Sequence, residues 1–478
     1  MGNKITTEEE KNMAGLVTKH DDPNGALGWG ERIGYSSGGF AFNMINGIIG
    51  SFLTIYFTSA VGLNAGIIAT IFAVSKVFDG ISDLIVGRLV DRTRSKMGKG
   101  RVWLFRMCIP FAVTTVLLFW VPSGLPEMAQ YVYVFLMYNI VNAVCLTGML
   151  VPFYSMVTLV TANPYERGLL GNIQQIFQTL GNVFVNSTFV TLLAKFTSST
   201  ETLYTQRAFT ITMIIYCALM VAVSLFCVFN TKERVTDTAQ KEIKKEDVEK
   251  KESFLVTVKA LLANRYWLLL TLGNFVVFFI IIFYSMGTVF YCQYVLYDMG
   301  KYGLLSNAIA IAQFGIMFIT PIMMKKIQKE RIYTFGMLVL AVGFVGSALF
   351  EVTSVLVVSN VLKGIGVGLA GGMALGMVAD TVTYGKMKTG IDTVGMGNAG
   401  ISAAQKIGLG LGQAVFGWVV AAAGLDAALD AQGLRQPESV TTAIKFLYGW
   451  VPAMMSVVVF VLFLLFYHCE RDMKKMEE

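Results

Sequence analysis

The sequence has few of the residues from which catalytic and metal sites are usually built. Only two of its 478 residues are histidines, His20 and His468, and neither lies near other potential ligands. Metal sites need a cluster of His, Cys, Asp or Glu, and a Ser or Cys nucleophile usually needs a His beside it as general base. We therefore predict that the chain is not an enzyme and carries no cofactor.

Cysteines are also few, and they are poorly spaced for pairing or for metal binding. No two of the six form a CxxC motif, which is the spacing that many zinc and redox sites use. Most lie within hydrophobic runs, where cysteine behaves as a small apolar residue. The sequence therefore predicts no disulfide framework and no metal site among Cys108, Cys145, Cys217, Cys227, Cys292 and Cys469.

Charged residues are scarce and hydrophobic residues are abundant. The charged fraction is 14%, the hydrophobic fraction is 55% and the mean hydropathy is +0.62, which is far more apolar than a typical soluble protein. The net charge of +7 does not indicate nucleic-acid binding, because the basic residues are spread over many loops. We predict an integral membrane protein in contact with lipid, without a nucleic-acid partner or an obligate protein partner.

Hydrophobic runs of about 20 residues recur along the chain, separated by short polar loops. An α-helix of this length crosses the hydrocarbon core of a bilayer, and a helix satisfies its own backbone hydrogen bonds there. The sequence predicts an all-α polytopic protein with twelve transmembrane helices, at 35–60, 66–90, 103–121, 130–155, 170–195, 209–229, 267–292, 304–324, 332–351, 354–379, 395–424 and 444–468.

A long charged segment divides these runs six and six. It includes TKERVTDTAQKEIKKEDVEKKES, and mixed-sign runs of this kind are typical of solvated linkers. Transporters built from two halves often place the substrate site between the halves near the bilayer midplane. The predicted organisation is an N-terminal tail, a six-helix bundle, a linker, a second six-helix bundle and a C-terminal tail, at 1–34, 35–230, 231–266, 267–468 and 469–478.

The basic residues alternate between the two sides of this arrangement. Arg92 and Arg94 follow the second run, and Lys386 and Lys388 lie in a loop on the same predicted side. Loops on the opposite predicted side are poor in Lys and Arg, and several carry acids such as Glu127. Because basic loops tend to stay in the cytoplasm, we predict cytoplasmic termini and a multi-pass protein of the cell membrane.

Three ionisable residues interrupt the second hydrophobic run. Lys76, Asp79 and Asp83 are three and four residues apart, so they share one face of a helix. Insertion scales assign a cost of roughly 2.5 to 3.5 kcal/mol to each charged side chain near the membrane centre, and such residues are usually functional. We predict that this stripe is a cation-coupling site.

Two carboxylates one helical turn apart can bind a monovalent cation in two ways. They can share a proton, because two like charges close together in a low dielectric are costly. Their oxygens can instead replace the hydration shell of Na⁺, with Asn43 and Thr147 from other hydrophobic runs completing the shell. The sequence leaves Na⁺ and H⁺ open; if the ion is Na⁺, Asp79 and Asp83 are its metal ligands.

Two stretches resemble one family of transporters. VSKVFDGISDLIVGRLVDRTRSKMGKGR, at 74–101, and ADTVTYGKMKTGIDTVGMGNAG, at 379–400, are followed later by Lys406. Together they are similar to the glycoside-pentoside-hexuronide:cation symporters, relatives of the melibiose carrier in the major facilitator superfamily. The resemblance covers nearly all of 27–470. It implies that two six-helix bundles take up a sugar by alternating access, driven by Na⁺ or H⁺.

The resemblance also implies roles for individual residues. In the cation site, Asp79 and Asp83 match the family's acids, and Thr147 supplies a further oxygen. Asn43 stands where the melibiose carriers have a sugar-binding Asp. It is therefore a candidate for both the cation site and the substrate site.

The remaining substrate residues only partly match the melibiose carriers. Tyr154 stands where those carriers have a Trp that stacks on the sugar, and Lys406 matches the Lys of their eleventh span. Leu150 replaces a second sugar-binding Asp, and Gln175 replaces a sugar-binding Arg. Without those charged groups a simple galactoside is disfavoured. A uronide, a pentoside or a glycoside bound by amides stays open, with Lys406 or Lys363 available to meet a carboxylate.

The resulting hypothesis is cation-coupled symport of a small-molecule sugar. Two alternatives remain, a sugar sensor with a transporter fold and an uncoupled sugar facilitator. A gate is predicted at the cytoplasmic side, where Arg92 and Arg94 of one half lie on the same side as Asp380 and Asp392 of the other.

Overall fold

The computed structural model describes residues 25–197, 205–234, 254–391, 393–431 and 434–477. Within these ranges the chain consists of long helices joined by short connections. The long helices are α1 Trp29–Ala60, α2 Ala65–Arg92, α3 Lys99–Leu118, α4 Glu127–Val160, α5 Pro164–Phe196, α6 Gln206–Asn230, α7 Arg265–Tyr294, α8 Tyr302–Met324, α9 Lys329–Leu349, α10 Thr353–Thr389, α11 Val394–Ala422 and α12 Val451–Phe466.

The short elements flank the second set of helices. A helix at Phe254–Leu262 precedes α7, helices at Ala427–Ala431 and Glu438–Lys445 lie between α11 and α12, and Cys469–Glu477 follows α12. The end of α1, the middle of α4 and the segment leading into α12 are π-helical, at Tyr56–Ala60, Ile140–Leu146 and Phe446–Trp450.

Most of these helices are long and apolar enough to cross a membrane. Ten candidate spans are found among the described residues. Two further helices, α2 and α11, contain 28 and 29 residues and are therefore also long enough to span. The multi-pass, all-helical architecture agrees with the sequence, while the number twelve stays a prediction.

The helices pack mainly within two sets. In the first set α1 lies against α5 and α6, and α3 lies against α4 and α6; in the second, α9 and α8 lie against α10, and α7 lies against α11. Glycines allow the close contact between α8 and α10, because a Cβ on Gly364 would collide with the carbonyl oxygen of Ile309. We call α1–α6 the first half and α7–α12 the second half.

Ion pairs tie the first half together at the end where α1 begins. Arg32 on α1 pairs with Glu166 at the start of α5 at 2.8 Å, and Arg234, after the end of α6, pairs with Glu31 at 2.7 Å. We call this end of the molecule the terminal face, because α1 begins and α12 ends there. The opposite end is the far face.

A buried carboxylate joins the two halves at the far face. Asp430, between α11 and α12, accepts a hydrogen bond from Ser59 at the end of α1, at 2.6 Å. The hydroxyl of Tyr294, at the end of α7, also donates to Asp430 and lies 2.8 Å from the Ser59 hydroxyl. Gln436 donates to the other Asp430 oxygen at 2.9 Å. The loop between α11 and α12 is thereby fixed to both halves.

Further contacts between the halves lie on the same side. Tyr302 at the start of α8 donates to Asn186 of α5 at 3.0 Å, and Trp418 near the end of α11 donates to Thr70 of α2 at 3.0 Å. At the terminal face, by contrast, the ion pairs described above remain within one half. The structure therefore has the two halves joined at the far face.

Candidate functional site

A cavity of about 250 Å³ lies between the two halves. The first half contributes walls from α1, α2, α4 and α5, and the second half from α7, α8 and α11. Its most frequent polar groups are side-chain amides, namely Asn43, Asn46, Asn142, Asn182, Asn186, Gln313 and Gln413.

Amides and aromatic rings suit a ligand that carries many hydroxyl groups. Each amide offers two N–H donors and one carbonyl acceptor, and a hydroxyl needs both kinds of partner. Tyr138, Tyr284 and Tyr302 add rings to the wall, and an aromatic face can cover the apolar face of a sugar ring. Among the described residues that line the cavity, Lys76 is the one that carries a formal charge.

Asp79 lies next to this cavity, one helical turn from Lys76. The ammonium nitrogen of Lys76 donates to Asp79 Oδ2 at 2.9 Å. The other oxygen, Oδ1, is buried and accepts no hydrogen bond within the part of the chain that the structure describes. A buried carboxylate oxygen without a donor is unusual, so this atom is available to a proton or a metal cation.

Asp83 of α2 contacts residues of both halves of the molecule. Its Oδ2 contacts the ammonium of Lys406 on α11, which forms an ion pair between the halves. Its Oδ1 lies 3.4 Å from the hydroxyl oxygen of Thr147 of α4. Ser82 donates to the same threonine hydroxyl at 3.5 Å. Carboxylate and hydroxyl oxygens of this kind can serve as Na⁺ ligands, and a carboxylate can also hold a proton.

Local backbone geometry positions Thr147. The π-helical segment Ile140–Leu146 ends one residue before it. The Thr147 hydroxyl donates to the backbone carbonyl of Asn142 at 3.1 Å. π-Helical turns occur often at functional sites, because the extra residue re-aims the side chains that follow. The same segment places Asn142 on the wall of the cavity.

The substrate residues predicted from the sequence occupy different places. Asn43 lies on the cavity wall, and its side chain donates to the backbone carbonyl of Gln178 at 2.7 Å. Tyr154 is half exposed and accepts a 3.3 Å hydrogen bond from Gln178, while Gln175 is exposed. Neither Tyr154 nor Gln175 lines the cavity in this arrangement, and Lys406 is engaged with Asp83.

The structure describes three of the four predicted gate residues. Asp380 pairs with Lys329 of its own half, at 2.7 Å, and the side chains of Arg92 and Arg94 are exposed. Asp392 lies outside the described residues.

Lys363 is fully buried away from the cavity wall. Its ammonium lies 4.0 Å from the centroid of the Tyr448 ring and 4.7 Å from that of Phe344. It finds no hydrogen-bond acceptor among the described residues, so the two rings are the groups that stabilise it here.

Sequence reasoning missed most of the cavity wall. Asn46, Asn182, Gln313 and Gln413 were not singled out from the sequence, although amides inside hydrophobic runs are a detectable signal. Helical spacing places Lys76 in the ionisable stripe, but its place on the cavity wall depends on how α2 packs against the other helices.

Comparison with known proteins identifies the family. The family model described as MFS/sugar transport protein matches residues 34–471. The isoprimeverose transporter of Lactiplantibacillus pentosus is 30% identical, with 94% of this chain and 90% of that protein covered. The glucuronide carrier protein homolog of Escherichia coli (strain K12) is 27% identical over 92% of both chains.

Solved structures share the fold. A D-xylose-proton symporter superposes with a TM-score of 0.62 at 15% identity, over 92% of this chain and 97% of that one. The nucleoside transporter NupG gives a TM-score of 0.60 at 13% identity, over 91% and 98%. These likenesses confirm the major facilitator fold, and both the family and the neighbours are membrane transporters, not enzymes. The chain therefore belongs to the MFS/sugar transport protein family, that of the glycoside-pentoside-hexuronide symporters, as its sequence resemblance predicted.

Proposed function

We propose that the protein couples the movement of Na⁺ or H⁺ to the transport of a sugar by alternating access. The observation that carries this proposal is the ion pair between Asp83 of the first half and Lys406 of the second, on the helices α2 and α11 that also line the amide-lined cavity. A cation that binds Asp83 must compete with Lys406, so ion binding changes a contact between the halves. Relatives named as a transporter of isoprimeverose and a carrier of glucuronides support a glycoside or hexuronide as the substrate class.

Asp79 and Asp83 each form an ion pair with a lysine in this arrangement. Lys76 neutralises Asp79 and Lys406 neutralises Asp83. A cation that takes either place releases a lysine, with Thr147 and Asn43 as additional oxygen ligands when the ion is Na⁺. Because the sugar cavity and the acids share α2, binding of the cation and binding of the sugar are linked, and the linkage is reciprocal.

Sugar recognition is assigned to the wall amides together with the residues that the family resemblance indicates. Asn43 already lies on the wall. Tyr154 and Gln175 join the site when α4 and α5 move relative to the second half, and Lys406 joins when it leaves Asp83. This rearrangement is part of the proposal.

A gate at the terminal face completes the cycle. When the terminal face closes, Arg92 and Arg94 approach the acids of α10 and the loop after it, Asp380 and Asp392. In the arrangement described above, Asp380 is instead held by Lys329 at 2.7 Å. Closure would exchange this pair within one half for pairs between the halves.

Neutralising either acid tests the coupling. We expect Asp83→Asn and Asp79→Asn to abolish sugar accumulation against a gradient in membrane vesicles, because an amide neither takes up a proton nor binds Na⁺ as a carboxylate does. Asp298→Asn is the matched control, since Asp298 lies in an exposed loop at the far face, paired with Lys301 at 3.3 Å. It should accumulate sugar as the wild type does.

Accumulation, flux and binding measurements together distinguish a coupled symporter from a facilitator and from a sensor. Accumulation that survives in both variants would contradict the assignment of the cation site. Sugar flux without accumulation in the wild type would indicate a facilitator. Sugar binding without any flux in proteoliposomes would indicate a sensor.

A further inference from the structure

Lys76 lies between the amide-lined cavity and the proposed cation site. It lies on the wall of the amide-lined cavity, and its ammonium also pairs with Asp79 at 2.9 Å. The side chain is 26% exposed and that of Asp79 is 16% exposed, so the pair is partly open to a ligand in the cavity. One side chain therefore touches both the substrate space and a coupling acid.

The stem of Lys76 is packed tightly against α11. Gly410 of α11 packs directly against the Lys76 Cγ, Cδ and Cβ atoms, where even a methyl group would collide. The ammonium lies 6.0 Å from the centroid of the Tyr138 ring, another residue of the cavity wall. An ammonium has three N–H donors, and Asp79 accepts one of them in the hydrogen bonds described here.

We propose that Lys76 binds a carboxylate of the substrate, and that the transported sugars are therefore uronic acids or their glycosides. This inference rests on the proposed transport function and specifies its substrate class. The amides of the wall supply partners for hydroxyls, but an anion brought into a cavity between membrane helices needs a positive partner. Among the described wall residues, Lys76 is the one that supplies it.

The other two membrane lysines are less suitable. Lys406 is engaged with Asp83 and does not line the cavity. Lys363 is fully buried between Tyr448 and Phe344 and does not line the cavity either, so a ligand bound there would not reach its ammonium.

This position also gives Lys76 a role in coupling. A carboxylate in the cavity competes with Asp79 for the same ammonium. As Lys76 turns toward the substrate, Asp79 loses its positive partner and its affinity for a cation rises. Lys76 is thus a substrate-binding residue that also transmits substrate occupancy to the cation site.

Matched pairs of sugars test the substrate class. Methyl β-D-glucuronide is compared with methyl β-D-glucoside, and methyl galacturonide with methyl galactoside. In each pair the acidic sugar has a carboxylate where the neutral sugar has a hydroxymethyl group. Binding is measured by calorimetry on the purified full-length protein, with and without Na⁺. We expect the wild type to bind at least one acidic sugar tenfold or more tightly than its neutral partner.

Three substitutions then test whether Lys76 causes this preference. Lys76→Met should remove the preference, whereas Lys76→Arg should keep it because it keeps the charge. Gly410→Ala, which displaces the stem without changing any charge, should weaken acidic-sugar binding selectively. A folded Lys76→Met protein, recognised by an unchanged melting profile, that still prefers the acidic sugar would overturn the proposal.

The remaining outcomes separate this inference from the transport function. If the wild type prefers the neutral sugars, the assignment of Lys76 fails and sugar transport stands. If it binds neither kind of sugar, both proposals fail. If Lys76→Met does not fold, Lys76→Arg and Gly410→Ala decide the matter, and equal acidic preference in wild type and Gly410→Ala counts against the proposal.

Discussion

The side-chain amide of Gln413 has a buried N–H donor that makes no hydrogen bond among the described residues. It lies on the cavity wall, only 5% exposed, and its side-chain nitrogen finds no acceptor within the part of the chain that the structure describes. A buried donor left unsatisfied costs about 1 to 3 kcal/mol. A sugar hydroxyl that accepts from this nitrogen would recover part of that cost, and we therefore expect Gln413 to contact the sugar.

Truncation of this amide should weaken sugar binding. We expect Gln413→Ala to lower the affinity for a transported sugar about tenfold, or about 1.4 kcal/mol, measured by calorimetry. Gln175→Ala provides the comparison, because Gln175 is exposed and away from the wall although the family resemblance places it in the substrate site. A loss in Gln175→Ala alone would favour the resemblance over the cavity described here.

At the scale of the helix, α2 carries both proposed coupling acids and the cavity lysine. Helical spacing in the sequence predicted that Lys76, Asp79 and Asp83 share a face, and the structure agrees. The partners of these residues could not be predicted in the same way. Thr147 lies 64 positions from Asp83, and spacing along one helix carries no information about which distant helix packs against it.

The start of α3 is stabilised by a residue from outside the membrane spans. Glu233, which follows α6, accepts hydrogen bonds from the backbone N–H groups of Lys99 and Arg101 at 2.7 and 2.8 Å. These donors have no partner within the helix. Burial raises the pKa of the Glu233 carboxyl above its ordinary value of 4.5, and the N–H donors oppose this effect only in part.

This raised pKa predicts a pH-dependent stability. Because the folded protein binds the Glu233 proton more tightly than the unfolded chain, acidification stabilises the folded state through this group. The melting temperature of the wild type relative to Glu233→Gln should therefore rise as the pH is lowered from about 7 toward the ordinary range of Glu. Glu351→Gln, at an exposed far-face pair with Lys445, is the control. A difference between the wild type and Glu233→Gln that stays constant with pH would contradict the expectation.

At the scale of the whole molecule, the far face is closed by polar contacts that converge on Asp430. This carboxylate accepts hydrogen bonds from Ser59 of the first half and from Tyr294 and Gln436 of the second. Hydrogen bonds to a charged group contribute roughly 1.5 to 3 kcal/mol each. Of the three, the bond from Ser59 crosses between the halves, so the far face must release it before it can open.

Weakening this contact should shift the molecule toward opening at the far face. We expect Asp430→Asn to raise the labelling rate of Ser306→Cys, on the cavity wall, about tenfold with a membrane-impermeant maleimide applied from that side. The six native cysteines are buried, so their background should be low. Asp298→Asn in the same background is the control, and an equal rate in both would show that Asp430 does not hold the far face closed.

The sequence predicted the membrane fold, the family and the stripe on α2, because hydropathy and helical spacing are local properties. It did not predict the composition of the cavity wall. That wall combines Asn43 and Asn182 of the first half with Gln313 and Gln413 of the second, and it exists only where the two halves face each other. The Asp430 contacts likewise depend on how a loop of the second half packs against the end of α1.

The two lysine–aspartate pairs have a consequence for the electrical behaviour of transport. With Lys76 on Asp79 and Lys406 on Asp83, these four side chains carry no net charge before a cation arrives. Adding one monovalent cation gives this group a charge of about +1, which a potential of 100 mV drives with about 2.3 kcal/mol. A sugar carboxylate bound with that cation cancels the charge. Cotransport of one cation with one uronate would then be insensitive to membrane voltage, whereas cotransport with a neutral glycoside would carry current.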